Sequence, residues 1–304
     1  WSSDVCSSDL GDLLWVYEGL TQYLGYVLAV RSGLIDEHRY REGLAAVAAT
    51  QQQRTGRAWR SLGDTSVSGQ ILYDAPAEWR ATRRGIDFYD EGALVWMEVD
   101  TRIRALTGGQ RSLDDFCRLF HGGTSGPAEV KPYGLDDIIA ALTTIAPFDW
   151  RTFFERRVDR VSSEAPFQGL TAAGWRLVYT DERNTAADEM ADYLLDARSS
   201  IGVLVRPNDG SIRDVVAGSP ASAAGLAPGM HVISVDGRRY TEQELRDVIG
   251  QSKDTSKPLG LEVQNDDVTI RVSLDYHGGT RHPHLVRDPA TPDLLARILA
   301  PRAR

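Results

Sequence analysis

This sequence has no long uninterrupted apolar run, no framework of cysteines, no surplus of positive charge and no initiator methionine. The apolar stretch from Leu13 to Val30 is broken by Glu18, Thr21 and Gln22, short of the roughly 18 or more apolar residues that would span a bilayer. No membrane span is expected. Cys6 and Cys117 cannot build a set of bridges and form no Cys-x-x-Cys pair, which excludes a disulfide-stapled miniprotein. With 34 basic against 43 acidic residues and a net charge of −9, no nucleic-acid partner is expected, and the negative balance fits several compartments. Residues 1–10 nearly repeat Ser-Ser-Asp and lack the positive and apolar regions of a signal peptide. They read as a non-native leader, on a frame that opens inside a longer one.

What is present is 42% hydrophobic and 25% charged residues over 304 positions, a soluble globular balance with room for two domains at roughly 100–200 residues each. Residues 11–160 carry helical patterns at Leu14 to Ser32, Asp36 to Gln53, Gly92 to Leu106, Leu113 to Phe120, Leu135 to Ile145 and Asp149 to Val158. Ser112 with Asp115 is a capping-box variant, and Gly33 and Gly108 stand where helix ends favour φ > 0. After Pro166 short β-branched runs take over, at Trp175 to Tyr179, Gly202 to Val205, His231 to Val235, Leu259 to Val263 and Val268 to Leu274. One helix, Glu242 to Ile249, is capped by Thr241. The expected organisation is a multidomain α+β chain: a helical lobe over 11–160, a connector over 161–196, a β-rich domain over 197–277 and a tail over 278–304. Within the connector, the acidic run Asp181 to Asp196 reads as a solvated helix or linker.

In the β-rich part, Ser219 to Gly229 followed by His231 to Gly237 combines small residues, Gly225 and Gly229 for tight turns, a strand and an Asp236-Gly237 turn. This order resembles the PDZ domain. The resemblance implies a groove in which a peptide adds as a strand beside Gly202 to Val205, opposite the helix Glu242 to Ile249. Ser200, Ile201, Gly202, Val203 and Leu204 would then bind a peptide C-terminus, with Gly202 allowing its carboxylate to approach the backbone. The bland alternative is that this groove is filled by the chain itself or packs on the first domain.

In the helical part, Leu14-Trp15-Val16-Tyr17-Glu18-Gly19-Leu20-Thr21-Gln22-Tyr23 sets one carboxylate in an apolar helix start. An unpaired buried carboxylate costs several kcal/mol, so Glu18 needs a cation, a hydrogen-bond cluster or a metal. The residues alone leave a satisfied structural Glu open. The motif resembles the third-ligand helix of the glycyl aminopeptidase family, gluzincin zinc metallopeptidases with a C-terminal PDZ domain. Asp87-Phe88-Tyr89-Asp90-Glu91-Gly92 resembles that family's Tyr-Tyr-x-Lys-Gly segment, and Ser112-Leu113-Asp114-Asp115 its Ser-Leu-Asp-Asp turn.

The resemblance implies the helical lobe of a thermolysin-like peptidase domain, with Glu18 as a zinc ligand and Tyr89 stabilising the oxyanion. The implied substrates are peptides with a free N-terminal Gly or Ala. Glu91 stands where the motif has Lys, and Tyr89 could also be a core tyrosine with a bonded hydroxyl. The His-Glu-x-x-His pair of ligands with its general base is absent from the sequence. The reading is therefore a truncated peptidase whose longer parent holds zinc, while this chain alone binds none and is inactive. Apolar surface facing the missing helices should be exposed. Glu18 and Tyr89 should converge on one concave surface.

The rival reading is a non-enzymatic scaffold whose PDZ groove binds peptides. A serine-protease reading of Gly122 to Gly126 around Ser125 lacks the β-barrels it needs. His282-Pro283-His284 has a metal-capable spacing but reads as a solvated loop in the tail.

Overall fold

The computed structural model describes residues 11–76, 78–123, 126, 131–191 and 194–302, so residues 1–10 and Ser125 lie outside the described part. Three long helices organise the first half: α1 (Leu14–Arg31), α2 (Glu37–Gln52) and α3 (Asp90–Leu106). On α1 the residues Trp15, Val16, Gly19, Leu20, Tyr23, Val27 and Val30 are buried, the three-and-four spacing of one helical face. Its end is set by Gly33 at φ 77°. α2 starts where the Asp36 side chain accepts the Arg39 amide at 2.7 Å. α1 and α3 cross with Gly19 against Gly92, where a Cβ built on Gly19 would lie 2.7 Å from the Gly92 Cα. Around that crossing Trp15 and Trp96 stack at 6.2 Å and Phe154 and Phe116 complete the aromatic centre.

Helices Leu113–Phe120, Leu135–Ile145 and Trp150–Phe154 follow, the last running into a π-turn over Glu155–Asp159. α3 buries charge as well as apolar groups, and its buried Glu91, Glu98, Asp100 and Arg104 are paired as desolvation requires. Asp100 accepts from Tyr23 Oη at 2.9 Å, Arg104 Nε at 2.9 Å and the Leu113 amide at 3.0 Å. Glu98 takes Arg157 at 2.7 Å.

The β-rich half holds small antiparallel sheets: β2 (Leu195–Ala197), β3 (Val203–Val205) and β4 (Ile212–Val215) in the order β2-β3-β4, and β5 (His231–Val235), β6 (Arg238–Arg239), β7 (Leu259–Asn265) and β8 (Val268–Leu274) in the order β6-β5-β7-β8. Asp236 and Gly237, both at positive φ, make the β5–β6 turn. A core of Ile201, Val203, Leu245, Ile249, Leu261, Val263 and others lies between the sheets and helix Glu242–Gln251. A separate core belongs to the helical half.

Two stretches differ from the sequence expectation. β1 (Trp175–Thr180), inside the expected connector, pairs antiparallel with β9 (His282–Arg287), inside the expected tail. Helix Leu294–Leu299 then buries Leu295, Ile298 and Leu299 in the helical core. Residues 278–302 are thus a returning strap that closes the first core, and His282 and His284 sit on a strand, not in a solvated loop. His284 Nδ1 meets Glu42 at 2.9 Å and its Nε2 the Glu182 carbonyl at 2.9 Å. The Pro in β9 hid the strand, because Pro is tolerated there only for lack of a further ladder partner. Within the acidic run, helix Thr185–Met190 forms, but its cap Asn184 is buried and donates to the Glu42 and Pro283 carbonyls. Deleting residues 281–304 is expected to release β1 and open the helical core, read as faster amide exchange in β1 and α2 than in β7 and β8. Unchanged exchange in β1 would show the strap to be dispensable.

Candidate functional site

The Gly19–Gly92 crossing brings two expected site residues together. Glu18 precedes Gly19 on α1, and Tyr89 is the residue from which α3 starts. The Glu18 carboxylate lies close enough to the Tyr89 hydroxyl to act on it, and that hydroxyl is bonded to the Tyr73 hydroxyl. Burial first, then the Tyr73 bond and the nearby Glu18 carboxylate, push the Tyr89 phenol well above its usual range. At neutral pH it is therefore a neutral hydrogen-bond group. Tyr73 comes from the short helix Gly69–Tyr73, and its ring sits 6.5 Å edge-on to Phe88. Neither spacing nor motif marks Tyr73 in the sequence. Ile71 and Tyr73 of this helix, Val67 just before it, and Tyr17 beside Glu18 are more than half exposed. This apolar surface is expected to bind a hydrophobic dye and to drive self-association of the isolated chain. A monodisperse monomer with no dye signal would contradict it.

Behind Tyr89 lies a buried charge network. Arg84 donates through Nε to Asp87 at 2.8 Å, through Nη1 to the Arg60 carbonyl at 2.8 Å and through Nη2 to Glu91. Arg57 meets Glu91 at 3.2 Å and Arg54 meets Asp87 at 3.4 Å. Burial alone would raise the Asp87 carboxyl, but Arg54 and Arg84 outweigh it and hold it below its usual range. Burial raises Glu91 despite Arg84 and Arg57. Glu91, which stands where the resembled motif has Lys, therefore answers two arginines and clamps the turn that carries Tyr89. Arg84 adopts φ 57°, a left-handed conformation that its three-way anchoring holds in place.

The segment carrying both Glu18 and Tyr89 also has a recognisable sequence. Residues 1–95 match the sequence model of the M61 glycyl aminopeptidase family. A search of curated protein sequences finds no match. Among solved structures, the chain resembles the aminopeptidase N family protein from Idiomarina loihiensis, with a TM-score of 0.70 at 19% identity over 95% of this chain. It covers 49% of that protein, so it spans about half its length. At that identity the likeness is one of fold.

Among the described residues no three His, Cys, Asp or Glu side chains come together to hold a metal ion. Glu18 is one carboxylate, not a complete zinc site. No described helix is long and apolar enough to cross a membrane.

The expected peptide groove differs from its sequence reading. β3 has neighbours on both edges, with Ala197↔Val203 and Leu195↔Val205 on one side and Val203↔Val215 on the other. The amides of Ser200 and Gly202 donate to the Ala197 carbonyl at 3.1 and 2.9 Å, and Ser200 Oγ accepts the Arg281 amide at 3.1 Å. Ile201 is fully buried. A Cβ on Gly202 would lie 2.0 Å from Ser219 Oγ, so the glycine serves internal packing and not the approach of a carboxylate. Ser200, Ile201, Gly202, Val203 and Leu204 therefore offer no open strand edge, because the three residues of β2 already fill it. The loop before β3 also docks on α2, with Gln53 Nε2 donating to Ser199 Oγ at 2.9 Å.

Proposed function

We propose that this chain is the C-terminal part of a zinc metalloaminopeptidase, with Glu18 as one zinc ligand and Tyr89 as the donor to the oxyanion. The remaining ligands and the water-activating base would come from residues outside this sequence. The observation that carries the reading is the meeting of Glu18 with Tyr89 across two helices. The family match over the segment that holds both, and the aminopeptidase-like fold, agree with it. Glu18 offers the hard carboxylate that completes a site with two imidazoles. Tyr89, kept protonated, can donate where charge grows on a peptide carbonyl. Peptides with a free N-terminal Gly or Ala are the substrates that the resemblance suggests. The β-rich unit is read as a PDZ-like module whose groove its own chain closes.

The test is made in the longer reading frame. Tyr89→Phe is expected to lower kcat on Gly- and Ala-leading chromogenic substrates by ~10²–10³ while zinc content holds. Glu18→Ala is expected to lose the zinc. An unchanged kcat in Tyr89→Phe removes its role. No zinc and no activity in the unaltered longer frame would leave a scaffold.

A further inference from the structure

One helical turn beyond the Glu18–Tyr89 pair, α1, α2, α3 and helix Thr185–Met190 enclose a cavity of ≈ 390 Å³. Gln22, four residues after Glu18, and Ala93, four after Tyr89, line its near end. Its walls are Tyr23, Tyr26, Ile35, Leu44, Val47 and Met97, and at its mouth Arg39 pairs with Glu189. Besides Glu189, which Arg39 pairs, one acidic residue lines this space, Asp90.

Asp90 opens α3, where a helix N-terminus favours an acid. Among the described residues, however, its carboxylate accepts no hydrogen bond and closes no ion pair. Arg54 and Arg80 act on it only from a distance, and burial raises its pKa above the ordinary value. A desolvated carboxylate without a partner is costly, and tyrosine rings around it can stabilise a cation.

We propose that this cavity is a binding site for a cationic amine with an apolar body, the ammonium seated on Asp90 and the body among Tyr23, Ile35, Leu44 and Met97. The site does not depend on the peptidase reading, because no metal and no reaction enter it. Two sources share this chemistry, a free amine and the N-terminal residue of a peptide.

The test is calorimetric titration of the chain with phenethylamine, with the tripeptide Phe-Gly-Gly and with its N-acetylated form. Either cation is expected to bind, and acetylation to weaken binding at least tenfold. Tighter binding of the tripeptide assigns the site to peptide N-termini, and tighter binding of phenethylamine to free amines. Asp90→Asn is expected to lose at least tenfold in affinity without loss of stability. A raised carboxyl favours the fold below its unfolded pKa and loses that contribution as pH rises through the folded one, so the amide is at least as stable at neutral pH. Gly43→Leu supplies a second variant, since Gly43 lines the cavity and nothing lies within 4 Å of an added Cβ. Leucine improves the helix and fills the space, so it is expected to abolish binding with Tm unchanged or higher. Equal affinity for the acetylated peptide, or full binding by Asp90→Asn or Gly43→Leu, would overturn the proposal.

Discussion

Replacing Arg84 with methionine is expected to lower the melting temperature of the helical half by about 10 °C or more. Arg84 is buried and, among the described residues, is the one that reaches Asp87, Glu91 and the Arg60 carbonyl together. Without it, among the described residues Asp87 keeps as ion pair only the 3.4 Å contact to Arg54, and Glu91 only the 3.2 Å contact to Arg57. Breaking a buried pair by removing one partner costs about 3–5 kcal/mol, and each kcal/mol shifts Tm by roughly 2–4 °C in a domain of this size. Methionine keeps a long apolar stem at position 84 but removes the bonds that hold its left-handed backbone.

The pH dependence has a definite sign. Asp87 has a depressed folded pKa, so its stabilisation is complete above its unfolded value of 3.8 and is lost as pH falls through the lower folded one. Glu91, raised by burial, acts in the opposite sense and favours the fold when protonated. The gap between the parent chain and Arg84→Met should therefore narrow below about pH 4, as both carboxyls lose their charge. Thermal melts across pH check this. Arg84→Lys should fall between the two, because an ammonium keeps the charge but not the planar fork. A melting temperature within about 2 °C of the parent would mean that the network contributes less than 1 kcal/mol.

Gly19→Ala is expected to cost about 2 kcal/mol or more, at the upper end of the overpacking range. The new Cβ would sit 2.7 Å from the Gly92 Cα and carbonyl carbon. Those are backbone atoms, so the clash is relieved only by moving α1 away from α3. Alanine's better helix propensity, worth up to about 1 kcal/mol, offsets part of the loss. A control lies on the same helix: Gly25 is exposed and nothing lies within 4 Å of a Cβ there, so Gly25→Ala should stabilise by ~0.5–1 kcal/mol. The same movement should separate Glu18 from Tyr89. Under the proposed function, Gly19→Ala is then expected to lose peptidase activity even where the protein stays folded. Full activity would show that the Glu18–Tyr89 geometry does not depend on the close crossing.

Much of the helical half is legible in the sequence. Helices Leu113–Phe120 and Leu135–Ile145 and strands His231–Val235 and Val268–Leu274 coincide with their expected bounds, because apolar period and flanking turn residues mark both ends. Glu18 and Tyr89 stood out through their motifs, and Glu91 as the departure from one. Tyr73 did not, since its importance arises only when the short helix Gly69–Tyr73 folds back over Phe88. The closed groove was equally hidden, because β2 is three residues long and declares itself only by pairing with β3.

The sequence by itself determined the local elements, their caps, the lone carboxylate on an apolar helix and the glycines at close turns. These follow from interactions within a few residues. Tertiary structure decided which distant groups meet: Glu18 with Tyr89 and Tyr73, Arg57 and Arg84 with Glu91, β1 with β9, and an unpaired Asp90 with an apolar cavity. Those contacts depend on how long loops close and on which backbones can touch, and here two glycines at a helix crossing set that distance.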